Sequence, residues 1–308
     1  MLAAMNTEVV TLGEAMRLLL AEPGVALRRA HTFTSSVAGA ETNVSVGLAR
    51  LGHRVRWLSR VGDDPSGAAV LRTLRADDVD VSQVEVDPEG FTGFLIRDTE
   101  TVEYHRSGSA ASRLSAAYVR EAGLDSARLV HVSGITAMLS PGAREAVEAL
   151  FVLARASGAW VSFDPNVRLK LGSPDRWRET VGPLLTRADL VFAGEDELEL
   201  LGQAPDALLA GRAQTVVVKQ RDKIARAVTA DGSWKQDSLV TRVVDPVGAG
   251  DALTSGYLSA WLRGASPAEA LRAGAACAAL VVGTRTDLEG LPDQGELAKT
   301  LIGTEVDR

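Results

Sequence analysis

The sequence predicts an α/β protein in which a mainly parallel sheet is flanked by helices, with a smaller β-sheet standing apart as a lid. Short apolar strands alternate with helices of about 10–15 residues, which is typical of parallel βαβ units. The alternation is interrupted between about residues 81 and 106, where strands follow one another without helices. With 308 residues, 46% of them hydrophobic, the chain can bury a large core. We therefore expect one domain over residues 1–308, with lid strands inserted at about 14–37 and 81–107.

The first part of the chain opens with strands and then alternates. A buried strand is indicated by Glu8-Val-Val-Thr-Leu12, and a run rich in β-branched residues follows the Pro23-Gly24 turn. A glycine turn at Gly39 opens a helix that ends at Gly52. The elements predicted before residue 80 are strands at 8–12, 16–20, 31–37 and 55–61, and helices after Gly39 and at 65–76.

The interrupted region is predicted to hold strands at 81–86, 91–97 and 101–105. A separate sheet explains strands that follow one another in this way, and residues 31–37 are expected to join it. The alternative is that these strands lie at the edge of the main sheet, and the sequence leaves that alternative open.

Alternation resumes in the second half of the chain. An antiparallel pair is predicted around Asp231-Gly232, and an extended run covers 238–244. Several polar residues follow strands directly, which is where pockets form in parallel α/β sheets. The predicted strands are 129–133, 159–163, 189–192, 215–219, 225–229 and 233–240, and the predicted helices are 141–157, 174–185, 195–201, 249–263, 267–282 and 294–302.

Composition and charge exclude several classes of function. The net charge of −7, with no basic run, argues against nucleic acid as a partner. The longest apolar run, residues 273–283, is shorter than the roughly 20 residues that span a bilayer, and residues 1–10 lack the features of a signal peptide. Cys277 is the single cysteine and is expected in the core. We expect a cytoplasmic protein that does not bind membranes.

The segment Asp245-Pro-Val-Gly-Ala-Gly-Asp251 carries the strongest chemical signal. Gly248 and Gly250 allow successive backbone amides, including that of Ala249, to point into one small space at the start of a helix. The free amides and the helix dipole there favour an anion. The same dipole is expected to acidify Asp251, so that it is ionised at pH 7 and can accept a hydroxyl proton. This equipment suits phosphoryl transfer to an alcohol, although an ordinary helix start can contain the same residues.

The longer string, continuing into Ala252, resembles the C-terminal signature of the ribokinase-like (PfkB) sugar kinases. The resemblance implies a ribokinase-like fold, ATP as cosubstrate, Asp251 as catalytic base, and an anion hole of the Gly248, Ala249 and Gly250 amides. No Lys-Ser/Thr follows the glycines, so the segment is not a Walker loop. Gly39-Ala-Glu-Thr-Asn43 resembles the N-terminal signature of the family, whose glycine and asparagine face the sugar.

Two arginines point to an acidic substrate. Arginine binds a carboxylate with paired donors, and neutral sugars do not need such a residue. Tyr104 and Arg106 in the lid, Arg168 in an Asp-x-Asn-x-Arg segment, and the segment beginning at Asp287 resemble the 2-keto-3-deoxygluconate kinase branch of the family. The resemblance implies that the arginines hold the substrate carboxylate and that the product is the 6-phosphate.

The resemblance also implies cofactor residues. Glu197 matches the glutamate of an Asn-x-x-Glu motif that positions Mg²⁺, although Gly194 replaces the asparagine. Asn166 and Lys219 are expected near the nucleotide. The sequence differs here from the Lys-x-Gly-x-x-Gly loop that is usual in the family, because Arg221 and Ile224 replace the two glycines. Either Arg221 contacts a phosphate of the nucleotide, or the loop lies elsewhere. A monovalent cation such as K⁺ near the Asp245 position is implied by resemblance alone.

Alternatives to a sugar-acid kinase are a kinase of a neutral sugar or nucleoside in the same family, and a catalytically weak sugar-acid sensor. The arginine pair argues against the first, and the intact Gly-Ala-Gly-Asp segment argues against the second. The expected partner is a small sugar acid, and an exposed lid favours a homo-oligomer formed through that sheet.

Overall fold

The computed structural model describes residues 7–124 and 126–306. Within them, an eight-stranded sheet has the strand order β14-β13-β12-β11-β10-β9-β1-β4. Neighbouring strands from β12 to β4 are parallel, whereas β12, β13 and β14 pair antiparallel. The strands are β1 (Val9–Leu12), β4 (Val55–Leu58), β9 (Leu129–Ser133), β10 (Trp160–Asp164), β11 (Leu190–Gly194), β12 (Thr215–Lys219), β13 (Ala225–Thr229) and β14 (Gly232–Gln236).

The central strands are apolar along their length because helices cover both faces of the sheet. All residues of β1, β9 and β11 are buried, as expected for parallel strands between two helical layers. The helices are α1 (Ala40–Arg50), α2 (Pro65–Ala76), α3 (Ala116–Ala122), α4 (Gly134–Leu139), α5 (Pro141–Ser157), α6 (Pro174–Leu185), α7 (Glu195–Leu201), α8 (Pro205–Ala210), α9 (Ala249–Leu262), α10 (Pro267–Val281) and α11 (Gln294–Val306). No helix in the described ranges is both long enough and apolar enough to cross a membrane.

Helix starts follow local capping chemistry, which is why several bounds are predicted correctly. Asp64 accepts a hydrogen bond from the Gly67 amide at 2.7 Å before α2, and Ser140 accepts one from the Ala143 amide at 3.0 Å before α5. Proline occupies the first helical position in both cases, where its missing N–H is not needed.

A second sheet, called the lid sheet below, consists of four strands in the order β3-β2-β7-β8. Its strands are β2 (Met16–Ala21), β3 (Phe33–Ala38), β7 (Phe94–Arg97) and β8 (Val102–His105). None of them belongs to the eight-stranded sheet, so the separate sheet is confirmed and the edge-strand alternative is wrong.

The prediction that residues 81–86 form a lid strand is wrong. The Asp80 side chain accepts a hydrogen bond from the Ser82 amide at 2.8 Å. This bond turns the chain at Val81, where the strand was predicted to begin. A short strand, β6 (Glu85–Asp87), follows and pairs with β5 (Arg60–Gly62) in a two-stranded sheet. The predicted strand 55–61 is likewise divided between β4 and β5.

The extended run predicted at 238–244 does not form a strand. Its backbone instead reaches the end of α10, where the amides of Val244 and Asp245 donate to the Val282 carbonyl at 2.7 and 3.2 Å. Three short helices, α3, α4 and α8, were not predicted. Segments of 6 or 7 residues show little periodicity, and none of the three opens with the acidic cluster that marks the equally short α7.

Helices α9 and α10 pack closely because glycine lies at their contact. A Cβ atom added to Gly256 would lie 2.7 Å from both the Ala273 carbonyl oxygen and Cys277 Sγ. Gly274 on the facing helix would place a Cβ 2.6 Å from the Leu253 carbonyl oxygen. The close approach fixes α9, whose N-terminus begins at the Gly-rich segment.

We predict that Gly256→Ala destabilises the protein by about 1–3 kcal/mol, because the added methyl overpacks this contact. Urea unfolding, followed by far-UV circular dichroism, measures the change. Gly182→Ala in α6 is the matched control, since a Cβ there meets no atom within 4 Å. That variant should be unchanged or up to about 1 kcal/mol more stable, through helix propensity. Equal stability of the two variants would contradict the close-packing argument.

Candidate active site

A cavity of about 640 Å³ lies where the carboxyl ends of the parallel strands face the lid sheet. Residues from both sheets line it, so the site depends on how the chain brings the sheets together. Most residues predicted from the sequence line this cavity: Gly39, Asn43, Tyr104, Arg106, Asn166, Arg168, Glu197, Lys219, Gly248, Gly250, Asp251 and Asp287. The cavity lining does not include Ala249 or Arg221.

The Gly-rich turn begins α9. Gly248 is the residue before the helix and has φ 83°, a left-handed conformation that favours glycine. A Cβ added there would lie 3.3 Å from the Asp287 Cα, and one on Gly250 would lie 3.5 Å from Lys219 Nζ. The Ala249 amide makes a long bond of 3.4 Å to the Pro246 carbonyl. The turn therefore combines a helix N-terminus with a nearby ammonium group, which is a favourable environment for an anion.

Asp251 in the first turn of α9 is held by two side-chain amides. Asn43 Nδ2 donates to Oδ2 at 2.8 Å, and Asn166 Nδ2 lies 3.5 Å from Oδ1. Burial raises the pKa of Asp251 to about 7, while the Asn43 hydrogen bond opposes the shift. The prediction that the helix dipole acidifies this carboxyl group is wrong, because desolvation outweighs the local dipole. A carboxyl group with this pKa can accept and return a proton near neutral pH.

Asn43 connects two carboxyl groups across the site. Its Nδ2 also donates to Asp287 Oδ2 at 3.3 Å. Burial raises the pKa of Asp287 to about 6, and the positive charge of Arg97 opposes that rise. Gly39, which precedes α1, allows this helix to approach, because a Cβ there would lie 2.4 Å from the Glu14 carbonyl oxygen.

A second charged cluster lies beside the Gly-rich turn. Lys219 Nζ is 2.7 Å from Asp164 Oδ2. Burial alone would lower the pKa of Lys219, but the negative charges of Asp164 and Glu197 outweigh burial and raise it. Glu197 accepts hydrogen bonds from the backbone amides of Val167 at 2.7 Å and Gly194 at 2.6 Å. Burial raises the pKa of Glu197, and Lys219 opposes the rise.

A metal site built by the protein alone is not present in the described ranges, which contain no group of three or more His, Cys, Asp or Glu side chains suited to a metal. Mg²⁺ that is bound with a nucleotide needs only one or two carboxylates, because phosphate oxygens and water supply the remaining ligands. Glu197 in the cavity wall fits that mode of binding.

Positive charge also collects around Tyr104 in the cavity wall. Arg106 forms an ion pair with the buried carboxylate of Glu14, which also accepts a hydrogen bond from Ser109 Oγ at 2.8 Å. Arg168 is exposed, and its charge lowers the pKa of Asp251. Arg106 and Lys170 both lie near the Tyr104 ring, at 5.8 and 5.6 Å from its centroid. The arrangement can attract an acidic group, although Glu14 already offsets part of the Arg106 charge.

Arg221 does not reach the cavity. Its guanidinium group pairs with Glu199 on the surface, and its backbone amide lies 3.5 Å from Glu195 Oε2. Of the two possibilities left by the sequence, the structure places this loop away from the cavity, with Arg221 in a surface ion pair.

Sequence reasoning missed Glu14 and Arg97, which both line the cavity. Arg97 pairs with Asp245 at 2.6 Å and lies 3.8 Å from Asp287. A signal for Arg97 was available, because strand alternation places it on the same face as the buried Leu95. A charged residue on the buried face of a strand indicates that a specific partner compensates its charge.

Comparisons with known proteins agree with this geometry. The family model described as "pfkB family carbohydrate kinase" matches residues 6–294. The chain is 36% identical to 2-dehydro-3-deoxygluconokinase of Bacillus subtilis, with 96% of each chain covered. It is 33% identical to 2-dehydro-3-deoxygalactonokinase of Haloferax volcanii, with 95% of this chain and 96% of the relative covered.

Solved structures share the fold over nearly the whole chain. The PfkB protein from Polaromonas sp. JS666 is 39% identical, with a TM-score of 0.84, and the match covers 95% of this chain and 99% of the other. A double mutant of Vibrio cholerae fructokinase, with fructose, ADP and potassium ion bound, is 25% identical to this chain, with a TM-score of 0.86. The match covers 96% of this chain and 98% of the fructokinase. The protein described as "putative Ribokinase II" from E. coli is 26% identical, with a TM-score of 0.89 and coverage of 96% of this chain and 100% of the other, which confirms the ribokinase-like fold class. With two sheets around one cavity and a family match over most of its length, the chain belongs to the pfkB family of carbohydrate kinases.

Proposed function

We propose that this protein transfers the γ-phosphoryl group of ATP to 2-keto-3-deoxygluconate, forming the 6-phosphate. The observation that carries the proposal is that one cavity contains Asp251, which can accept a proton, the Gly-rich turn at 248–250, and two arginines, Arg106 and Arg168, that can bind an acidic sugar. The Bacillus relative has the same substrate in its name, since 2-dehydro-3-deoxygluconate is another name for this sugar acid.

The transfer step uses groups that the site already holds. As the 6-hydroxyl oxygen bonds to the γ-phosphorus, its proton passes to Asp251, and the bond to the ADP oxygen breaks. Asn43 and Asn166 keep the Asp251 carboxylate oriented. The turn at 248–250, together with Lys219, stabilises the negative charge of the transferring group. Sequestering this step beneath the lid sheet limits transfer to water.

The acid end of the substrate would bind between lid and core. Arg106 is held rigidly by Glu14, so it offers donors in a fixed orientation at little entropic cost. Arg168 supplies a second guanidinium from the segment that follows β10. Tyr104, Gly39 and Asp287 complete the proposed sugar contacts.

Cofactors follow from the same proposal. Mg²⁺ would neutralise phosphate oxygens, with Glu197 as the nearby carboxylate. Asn166, Lys219 and the turn amides are the proposed contacts to the nucleotide phosphates. Arg97 already neutralises Asp245 at 2.6 Å, so the proposal does not require a monovalent cation at that carboxylate. We also propose that the chain works in the cytoplasm as one domain and that two copies pair through the lid sheet.

An ATP-consumption screen tests the function. Release of ADP is measured with 2-keto-3-deoxygluconate, its C4 epimer 2-keto-3-deoxygalactonate, neutral hexoses and nucleosides. We expect ADP only with the sugar acids, and mass spectrometry should show a single added phosphate. ADP release with neutral sugars alone would contradict the proposal, and no turnover together with tight sugar-acid binding would favour a sensor.

We predict that Asp251→Asn lowers kcat roughly 10²–10⁴-fold, because the amide cannot accept the hydroxyl proton. In the wild type, kcat/KM should rise with pH through about 7, as the Asp251 carboxyl group loses its proton. Both are measured with a coupled ADP assay across pH 5.5–8.5. Wild-type turnover in the variant would remove the proposed role of Asp251.

The same substitution should stabilise the fold at high pH. Burial raises the pKa of Asp251 from its usual 3.8 to about 7, so ionisation costs free energy in the folded state only. The gain in melting temperature for Asp251→Asn should be largest above pH 7 and should disappear as the pH falls from about 7 to about 4. A gain in melting temperature that does not depend on pH would show that ionisation of Asp251 does not destabilise the folded state.

We predict that Arg168→Ala raises the KM for sugar acids about tenfold or more, while the KM for any neutral sugar that reacts changes little. Arg168 is the cleaner site for this test because Arg106→Ala also leaves Glu14 buried without its cation. For Arg106, the single variant Arg106→Met is therefore compared with the double variant Glu14→Gln plus Arg106→Met, in which no unpaired carboxylate remains. If acidic and neutral sugars are affected equally, the arginines do not select the carboxylate.

A further inference from the structure

Arg97 belongs to the lid sheet, but its guanidinium group contacts the loops at the carboxyl ends of the larger sheet. Its side chain is 10% exposed, and Nη1 lies 2.6 Å from Asp245 Oδ2. Nη2 donates to the Arg285 carbonyl at 3.2 Å and lies 3.8 Å from Asp287 Oδ1. One guanidinium group from the lid thus pairs with two carboxylates, those of Asp245 and Asp287.

A continuous series of contacts leads from Arg97 to Asp251. Asp287 accepts a hydrogen bond from Asn43 Nδ2 through its Oδ2, and the same nitrogen donates to Asp251. The other oxygen of Asp287, Oδ1, is buried and accepts no hydrogen bond from the described residues. The charge of Arg97 is therefore what compensates this oxygen, and it acts one side chain away from the amide that orients Asp251.

We propose that Arg97 is a positioning residue that couples the lid sheet to Asp251, by holding Asp245 and Asp287 in the arrangement that orients Asn43. The inference rests on the proposed function, in which Asp251 takes the hydroxyl proton. Arg97 does not contact Asp251, so it acts on catalysis through the intervening side chains.

Arginine suits this position for a physical reason. Asp287 is buried and Asp245 is half-buried. Two such carboxylates near each other repel unless a cation lies between them, and a planar guanidinium group can serve both carboxylates and a carbonyl at once. An ammonium group is a compact charge on a flexible stem and cannot make all three contacts with the same geometry. Arg97→Lys should therefore keep the fold but misplace Asp287 and Asn43.

Loss of Arg97 should lower kcat more than it raises KM. The base is displaced together with one proposed sugar contact, Asp287, while the proposed acid-binding arginines stay in place. A displacement of about 1 Å can lower the rate roughly 10²-fold. Removing the cation beside Asp287 should also move the acidic limb of the kcat/KM profile to higher pH, because Asn43 joins Asp287 to Asp251 and the Asp287 charge is then uncompensated. The charged groups that shift the pKa of Asp251 remain in the variant: Asp164, Lys219 and Arg168.

Arg285 offers a matched control. Its Nη2 donates to the Ala21 carbonyl of β2 at 2.7 Å, so it too joins the lid sheet to the core. Its side chain forms no ion pair with Asp245 or Asp287 in the described part of the chain. Arg285→Met therefore weakens a lid contact without changing the charge at the two carboxylates.

The experiment compares Arg97→Met, Arg97→Lys and Arg285→Met in the full chain. Steady-state kinetics are measured with ATP and 2-keto-3-deoxygluconate across pH, with and without non-denaturing guanidinium chloride. We expect a roughly 10²-fold lower kcat and a raised acidic limb for Arg97→Met, partial recovery by guanidinium, and neither effect for Arg285→Met. Unchanged kcat, no recovery by guanidinium, or an equal loss in Arg285→Met would overturn the inference.

Hydrogen–deuterium exchange separates this inference from the proposed function, because it needs no substrate. Arg97→Met should increase exchange in the lid strand β7 and also in 244–251, whereas Arg285→Met should increase it in the lid alone. If Arg97→Met does not fold, Arg97→Lys decides, and wild-type exchange and kcat in that variant would reject the coupling. If the wild type phosphorylates no sugar acid, the proposed function fails while the exchange result still tests the contact.

Discussion

Four of the carboxyl groups near the carboxyl ends of the parallel strands, those of Asp164, Asp245, Asp251 and Asp287, have their charges compensated unequally. Asp164 has Lys219 at 2.7 Å, Asp245 has Arg97 at 2.6 Å, and Asp287 has the same arginine at 3.8 Å. Asp251 instead has neutral amides as its hydrogen-bond partners, from Asn43 and Asn166. Burial then raises its pKa to about 7. Unequal compensation leaves Asp251 as the carboxyl group best suited to exchange a proton near neutral pH.

This constraint explains the arrangement of the surrounding elements. The amides that hold Asp251 come from α1 and from the segment after β10, so both must approach the start of α9. Gly39 permits the approach of α1, since any side chain there would meet the Glu14 backbone. Gly256 and Gly274 permit the close contact of α9 with α10 behind the site. Glycine at these points fixes distances on which the hydrogen bonds depend.

The lid sheet contributes charge as well as cover. Arg97 reaches the acidic loops of the core, and Arg106 lines the same cavity with Glu14 as its partner. Arg97 of β7 and Arg106, which directly follows β8, thus serve different parts of the site. Because buried guanidinium groups need close partners, their contacts also fix the position of the lid relative to the larger sheet.

Much of the fold and the site was present in the sequence, where the relevant signals are local. Proline and a capping side chain mark the starts of α2 and α5, and the segment 245–251 identifies an anion site with an adjacent carboxylate. Short helices, and the pairing of β6 with β5, carry too little local signal to be read.

The sequence by itself predicted the alternation of strands and helices and favoured a separate lid sheet, and most of the site residues that it predicted line the cavity. Only the tertiary structure decided the protonation behaviour of Asp251 and the partners of Arg97 and Arg106. Those properties depend on burial and on contacts between residues far apart in the chain, such as Asn43 and Asp287, which are separated by 244 positions. Desolvation and long-range pairing are properties of the folded arrangement, and no short segment of the sequence contains them.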